Sequence, residues 1–225
     1  MHLSHSAAMR LGSVALCLSA ILAAPAFAAD APAAPAAECE LHVWPSGGIG
    51  VHTAGLGVAF GAIGGLIDAE GRKSGDQVRA EAASTAFGPD RQLATLVADA
   101  PAAALHIPAY RVVPHDKPLD VKAIGTKLRH SDSTAPCYAE LITSGLLFYK
   151  GPIYKGTLTV AFTYLKFGAK PKATSSYRNE FRRALDIADP RNAASIAEAG
   201  DRFAEIYSQS FKQFASYAAA QPAWK

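Results

Sequence analysis

Several things are scarce in this chain, and each scarcity excludes something. Its 225 residues carry 22 Lys and Arg against 19 Asp and Glu, a formal charge of +3, and so even a balance gives a nucleic acid no basic footprint to hold. There is no Gly-x-Ser-x-Gly turn, no Gly-x4-Gly-Lys-Ser/Thr loop and no His-Glu-x-x-His helix, so the common hydrolase, nucleotide-binding and zinc-protease signatures are missing. Three cysteines occur in all. None forms a Cys-x-x-Cys pair, which removes the usual support for a redox site.

What is there begins with an address. Residues 1–28 hold one charge, Arg10, then an uncharged apolar run over 11–24, then Pro25-Ala26-Phe27-Ala28. A basic start, an apolar centre and a small-x-small end are the parts of a secretory signal peptide. The run of 14 residues falls short of the roughly 20 that span a bilayer as a helix. Cleavage is expected after Ala28, giving an exported, periplasmic protein of 225 − 28 = 197 residues with charge 21 − 19 = +2. No lipid anchor is expected, because Cys17 follows bulky Leu16 and Cys39 follows charged Glu38. Cys39 and Cys137 are then the two cysteines left, and one disulfide between them is the simplest reading in an oxidising compartment.

Residues 29–38, ADAPAAPAAE, read as an Ala/Pro spacer. A single globular domain is expected over 39–225. It opens on a short strand in which Leu41 and Val43 alternate with polar neighbours up to Pro45. Residues 46–67 hold eight glycines and no Asp, Glu, Lys or Arg. Within them Gly57, Gly61 and Gly65 line up one helical stripe for close packing or membrane contact, and burial is favoured over insertion because the apolar content is poor. A helix is expected to continue to about residue 83.

Phe87-Gly88-Pro89-Asp90 marks a turn, with Asp90 as N-cap of a helix burying Leu93, Leu96, Val97 and Ala100. A short strand is expected over 110–113, and a broken polar stretch over 114–136. Two β-prone runs, 141–149 and 153–167, flank Lys150-Gly151-Pro152 and predict a hairpin with one core face, with Gly145 marking a bulge. A short helix is predicted over 177–185. Asp189-Pro190 is read as the start of an amphipathic carboxy-terminal helix with Phe203, Tyr207, Phe211, Phe214 and Tyr217 as its core stripe. The fold class is therefore α+β: a small sheet containing a central hairpin at about 139–167, packed by a glycine-rich helix and a long terminal helix.

Candidate chemistry is sparse. No two of His42, His52, His106, His115 and His130 stand at i, i+2 or i+4, so neither a metal site nor a cofactor is expected. His130-Ser131-Asp132-Ser133 puts the residue types of a catalytic triad side by side, but a triad needs convergence in space rather than adjacency. Glu140 is expected at an exposed strand position. Lys166, Lys170, Lys172, Arg178, Arg182 and Arg183 form a cationic group that would meet an anionic surface if they shared a face.

The order of elements over 90–220, a helix, a short strand, the hairpin CYAELITSGLLFYKGPIYKGTLTVAFTYLKFG and a long terminal helix, resembles small Gram-negative envelope domains. These are the domains of the curli secretion channel, of penicillin-binding-protein activator lipoproteins and of the amino-terminal part of the Tol propeller protein. The chain departs from them in lacking a lipobox and in carrying the Gly57-Gly61-Gly65 segment. What the resemblance implies is a non-enzymatic accessory or scaffold protein working through an envelope protein partner, with outer-membrane or peripheral membrane contact left open. The alternative is a periplasmic hydrolase or small-ligand-binding protein whose site is assembled from scattered residues. The sequence leaves the oligomeric state open.

Overall fold

The first strand needs cover on both sides. In β1 (Cys39–Trp44), Leu41 and Val43 point one way and His42 and Trp44 the other, and all four are buried. The computed structural model describes residues 39–53, 75–150 and 156–221. The chain divides into two units, Met1–Ala34 and Pro35–Lys225, and every described element belongs to the second. The expected signal peptide, the spacer and the stripe Gly57, Gly61 and Gly65 lie outside the described residues.

The fold is α+β. β1 is followed by β2 (Gly50–Thr53), β3 (Tyr110–Pro114), β4 (Tyr138–Lys150), β5 (Gly156–Phe167) and β6 (Ala173–Leu185). The sheet runs β3-β1-β4-β5-β6, with β2 also on β4. β1 lies parallel to β3 and to the first part of β4, and β2 lies parallel to the last part of β4. β1 and β2 thus occupy one flank of β4 end to end, while β4, β5 and β6 form an antiparallel meander on the other flank.

All the described helices except the short one at Val121–Ile124 cover one face. α1 (75–86), α2 (Pro89–Ala98), α3 (Pro101–Ala104), α4 (Val121–Ile124), α5 (Ala193–Glu198) and α6 (Gly200–Ala220) follow in chain order. α6 buries Phe203, Tyr207, Phe211 and Phe214. Their rings meet Phe87, Phe148 and Phe162 at centroid distances of 5.2–6.4 Å, in mostly edge-on or tilted pairs, the geometry that aromatic quadrupoles favour. Tyr217, expected in the same stripe, is 45% exposed and its ring meets the rim at Phe181.

The register of β4 slips between Thr143 and Gly145, so the expected bulge is present. One extra residue inverts the alternation. Before it Leu141 and Thr143 face the helices, and after it Leu146 and Phe148 do. Without the bulge the second half of β4 would turn these two side chains away from the main core.

The sheet's other face is covered in part. Trp44, Tyr138, Ile142, Leu165 and Phe167 form a second apolar cluster, roofed by Leu119 and Ile124. The hairpin therefore has two buried faces near β1, where one was expected.

Three local expectations are corrected. Residues 177–185 are strand, not helix. Tyr177, Phe181 and Leu185 recur every four residues, a spacing that fits both a helical turn and two strand repeats, and pairing along β5 decides between them. Asp90 lies inside α2, which starts at Pro89 after Gly88 with no side-chain cap, while Val97 is 48% exposed and Ala100 takes a left-handed φ of 47° before Pro101. Asp189 accepts from the Arg191 amide to close a turn, and the helix starts later, where Asn192 accepts from the Ala194 amide.

Cys39 and Cys137 are joined, with Cα atoms 4.7 Å apart and 98 positions between them. Replacing both by serine should lower the unfolding free energy by about 2–5 kcal/mol, read as a lower urea midpoint that added reductant does not change further. At Gly200 an added Cβ would lie 2.8 Å from the Ala86 carbonyl oxygen, which is backbone and has no room to move. Gly200→Ala should therefore lower the melting temperature, although alanine is the better helix former by about 1 kcal/mol. A rise in melting temperature would contradict this packing.

Candidate functional site

Register builds the chemically richest part of the molecule. β1 pairs with β4 so that Glu40 stands beside Tyr138 and His42 beside Glu140, while Glu40 also stands beside Arg111 of β3. All these side chains share the face away from the helices, because strand residues two apart point the same way. The segment between β3 and β4 then adds His115, His130, Ser131 and Ser133 from above.

Two hydrogen-bonded chains result. In the first, Glu40 accepts from Arg111, from Ser133 and from His42 Nε2, the last at 2.9 Å. His42 Nδ1 is hydrogen-bonded to His115 Nε2 at 2.7 Å. Trp44 stacks flat on His115, with centroids 4.1 Å apart and planes at 4°. In the second, Glu140 accepts at Oε1 from the His130 amide at 2.8 Å and the Tyr138 hydroxyl at 2.6 Å. Its Oε2 accepts from His130 Nδ1 at 2.6 Å. Ser131 Oγ lies 2.9 Å from the Tyr138 hydroxyl and donates to it, since the tyrosine proton is already given to Glu140. Arg129 lies over the Tyr138 ring at 4.6 Å and donates to the carbonyls of Ser133 and Gly168.

The electrostatics follow from these partners. His130 Nε2 lies 2.9 Å from the Ala123 carbonyl, which can only accept, so both ring nitrogens donate and the ring is an imidazolium. The hydrogen bond to Glu140 raises its pKa above the ordinary 6.5, against the opposing effect of burial. His115 goes the other way, lowered by burial and then by its neighbour His42. Glu40 is lowered by the hydrogen bonds from Ser133 and His42. The Tyr138 hydroxyl is pushed up by burial and by Glu140.

Glu140 is fully buried rather than exposed, and it is the acceptor on which the second chain converges. Three of the five histidines expected to be scattered, His42, His115 and His130, are gathered here. His42 and Glu40 stand at i, i+2 in a strand where they alternate with the apolar Leu41 and Val43, and that alternation is the signal in the sequence that marks a polar face. The run His130-Ser131-Asp132-Ser133 does not act as a unit: Asp132 is exposed, and the two serines meet Tyr138 and Glu40, not a histidine. No group of three or more His, Cys, Asp or Glu among the described residues is arranged to hold a metal ion. The arrangement is a closed network that fastens the 115–136 segment to the sheet.

The cationic group does not share one face. Arg178 and Arg182 lie on the face away from the helices, Arg183 reaches Gln213 of α6 on the other at 2.8 Å, and Lys170 and Lys172 are exposed at the β5–β6 turn. Lys166 sits on β5 opposite Ser175.

No protein-family model and no curated protein matches the chain. Among solved structures it is similar to a chain titled "Crystal structure of uncharacterized protein", at 10% identity, with 81% of this chain and 97% of that chain covered and a TM-score of 0.29. A likeness that distant carries no functional argument. Among the described residues no helix is long and apolar enough to cross a membrane, and the disulfide fits an exported protein.

The two histidines set opposite pH dependences. A raised pKa means that the contribution of His130 is full below 6.5 and is lost as pH rises through the raised value; the lowered pKa of His115 means that its contribution is present above 6.5 and is lost as pH falls. His130→Gln should cost about 1–3 kcal/mol in urea unfolding at pH 6 and distinctly less at pH 9. An equal cost at both pH values would show that His130 is not held protonated.

Proposed function

We propose that this chain is an exported, non-enzymatic accessory protein of the cell envelope that works through protein contacts on the uncovered half of the sheet's second face. Beyond the reach of the 115–136 segment, Leu147 and Tyr149 of β4 are 42% and 37% exposed. Tyr149 stacks on His52 of β2 with centroids 5.6 Å apart. With Thr157, Thr159 and Arg182 they line a shallow hollow of about 350 Å³. That open apolar strip on an otherwise well-packed sheet is the observation that carries the reading, since rigid exposed patches of this kind are where partners bind.

The partner's chemistry follows from the rim. Arg182 lines the hollow, and its ion pair with the exposed Glu180, at 3.5 Å, is a surface pair that contributes little. The surface suits a segment of an envelope protein that offers an apolar side chain to Leu147 and Tyr149 and a neighbouring carboxylate to Arg182. The closed Glu40 and Glu140 networks support the same reading, because their serines and histidines are engaged with each other and with the two carboxylates. Export rests on the amino-terminal pattern and on the Cys39–Cys137 bridge.

The test is site-specific crosslinking in the producing cell. With p-benzoylphenylalanine at position 147, ultraviolet light should join the protein to one discrete envelope protein. Arg182→Glu should reduce that product at least threefold, and the same probe at exposed Val97 on α2 should give none. Equal crosslinking at 147 and 97, or no product at either, would overturn the contact surface. The purified exported protein should begin at Ala29, and amino-terminal sequencing checks this.

A further inference from the structure

A second cleft lies between α4 and the sheet, closer to the small apolar cluster than the open strip is. It holds about 350 Å³ and is lined by Ile124, Lys127, Ser144, Thr163, Leu165 and Arg178 among others, roughly the room of a dozen water molecules. Its polar groups contrast with those of the neighbouring network. Thr163 stands on the cleft face of β5, is 8% exposed, and its hydroxyl has no hydrogen-bond partner among the described residues. The Ser144 hydroxyl, set on the bulge of β4, has none either. Buried hydroxyls are normally paired, and those left over in a native structure need an explanation.

The charges point the same way. Among the described residues no Asp or Glu lines the cleft, and neither Lys127 nor Arg178 makes an ion pair. Lys127 is held at a left-handed φ of 55°, a conformation uncommon outside glycine. It is fixed there by the Ala173 amide donating to its carbonyl at 2.9 Å and by the adjoining bridge between Leu128 and Lys172. The apolar part of the lining is made by Ile124 of α4 and by Leu165, two residues along β5 from Thr163, and both pack in the second core cluster. The β4 bulge and the strained lysine are both devices that re-aim side chains, and they meet at one cavity.

We propose that this cleft is a binding site for a small carboxylate-bearing molecule with a short apolar body. The carboxylate sits between the Arg178 guanidinium and the Lys127 ammonium, taking hydrogen bonds from Thr163 and Ser144, and the apolar body lies against Ile124 and Leu165. A planar carboxylate matches the fork of an arginine. Two unopposed cations give such a ligand a charge to meet, and the apolar wall separates it from a bare inorganic anion. This reading extends the function proposed above and stands apart from it, since the cleft and the Leu147–Tyr149 strip share no lining residue.

The experiment is a titration of the full exported protein, labelled with 15N, against three probes: N-acetylleucine, its neutral amide N-acetylleucinamide, and inorganic phosphate. Saturable shifts at the amides of Gly125, Ser144, Ser176 and Arg178 are expected with N-acetylleucine, with affinity at least tenfold weaker for the amide and for phosphate. Arg178→Gln and Lys127→Gln should each weaken N-acetylleucine at least fivefold. Thr163→Val should weaken it while leaving the melting temperature unchanged or higher, because it removes an unpartnered hydroxyl at nearly constant volume. That pair of readouts separates a binding role from a merely structural one, and Leu147→Ser should leave the titration unchanged. Three results would overturn the proposal: no saturable shift at these amides, equal affinity for acid and amide, or phosphate binding as tightly as the acid.

Discussion

The insertion of β1 between β3 and β4 is the constraint on which the rest depends. Parallel pairing with β4 sets Leu41 and Val43 against the helices and Glu40, His42 and Trp44 against Tyr138, Glu140 and Ile142. A one-residue slip would exchange the two sets, putting a glutamate and a histidine under α6 and two aliphatic side chains under the 115–136 segment. The disulfide at the first residue of β1 pins this register, because Cys39 and Cys137 sit one step before the paired positions Glu40 and Tyr138. Covalent bond, strand pairing and face assignment all specify the same alignment.

The second face shows what that alignment permits. A segment with little regular structure, 115–136, lies over a sheet and has few apolar side chains to offer. It is held instead by side chains reaching up from the strands: Glu40 takes Ser133, His42 takes His115, and Glu140 takes His130. Each acceptor is filled, which is the condition under which a buried polar network rigidifies a fold rather than weakening it. The same face carries the open strip and the cleft beneath α4, so its three regions differ in how completely their polar and apolar groups are answered by the described residues.

Elements with one dominant period were legible in the sequence. The alternation of Leu158, Val160, Phe162 and Tyr164, the stripe of α6 and the bulge at Gly145 are local patterns that survive in the fold. The two cysteines were legible as a pair by count alone. β6 was not, because its four-residue spacing satisfies two periods and its identity is settled by β5. The polar cluster was not, because His42, His115 and His130 are brought together by a parallel crossover whose partner strands lie some hundred residues apart. The cationic group was overestimated for a related reason: Arg182 and Arg183 are neighbours in sequence and on opposite faces of a strand.

The end-to-end arrangement of β1 and β2 along β4 has a consequence for how the chain reaches this state. The segment 39–53 is made first, yet both of its neighbours, β3 and β4, come after residue 109. Its free backbone edge therefore has no native strand to pair with until β3 and then β4 have been made. Such late closure is slow and leaves a sticky strand waiting. The Cys39 thiol waits with it, and oxidation to Cys137 is the event that makes the closure hard to reverse.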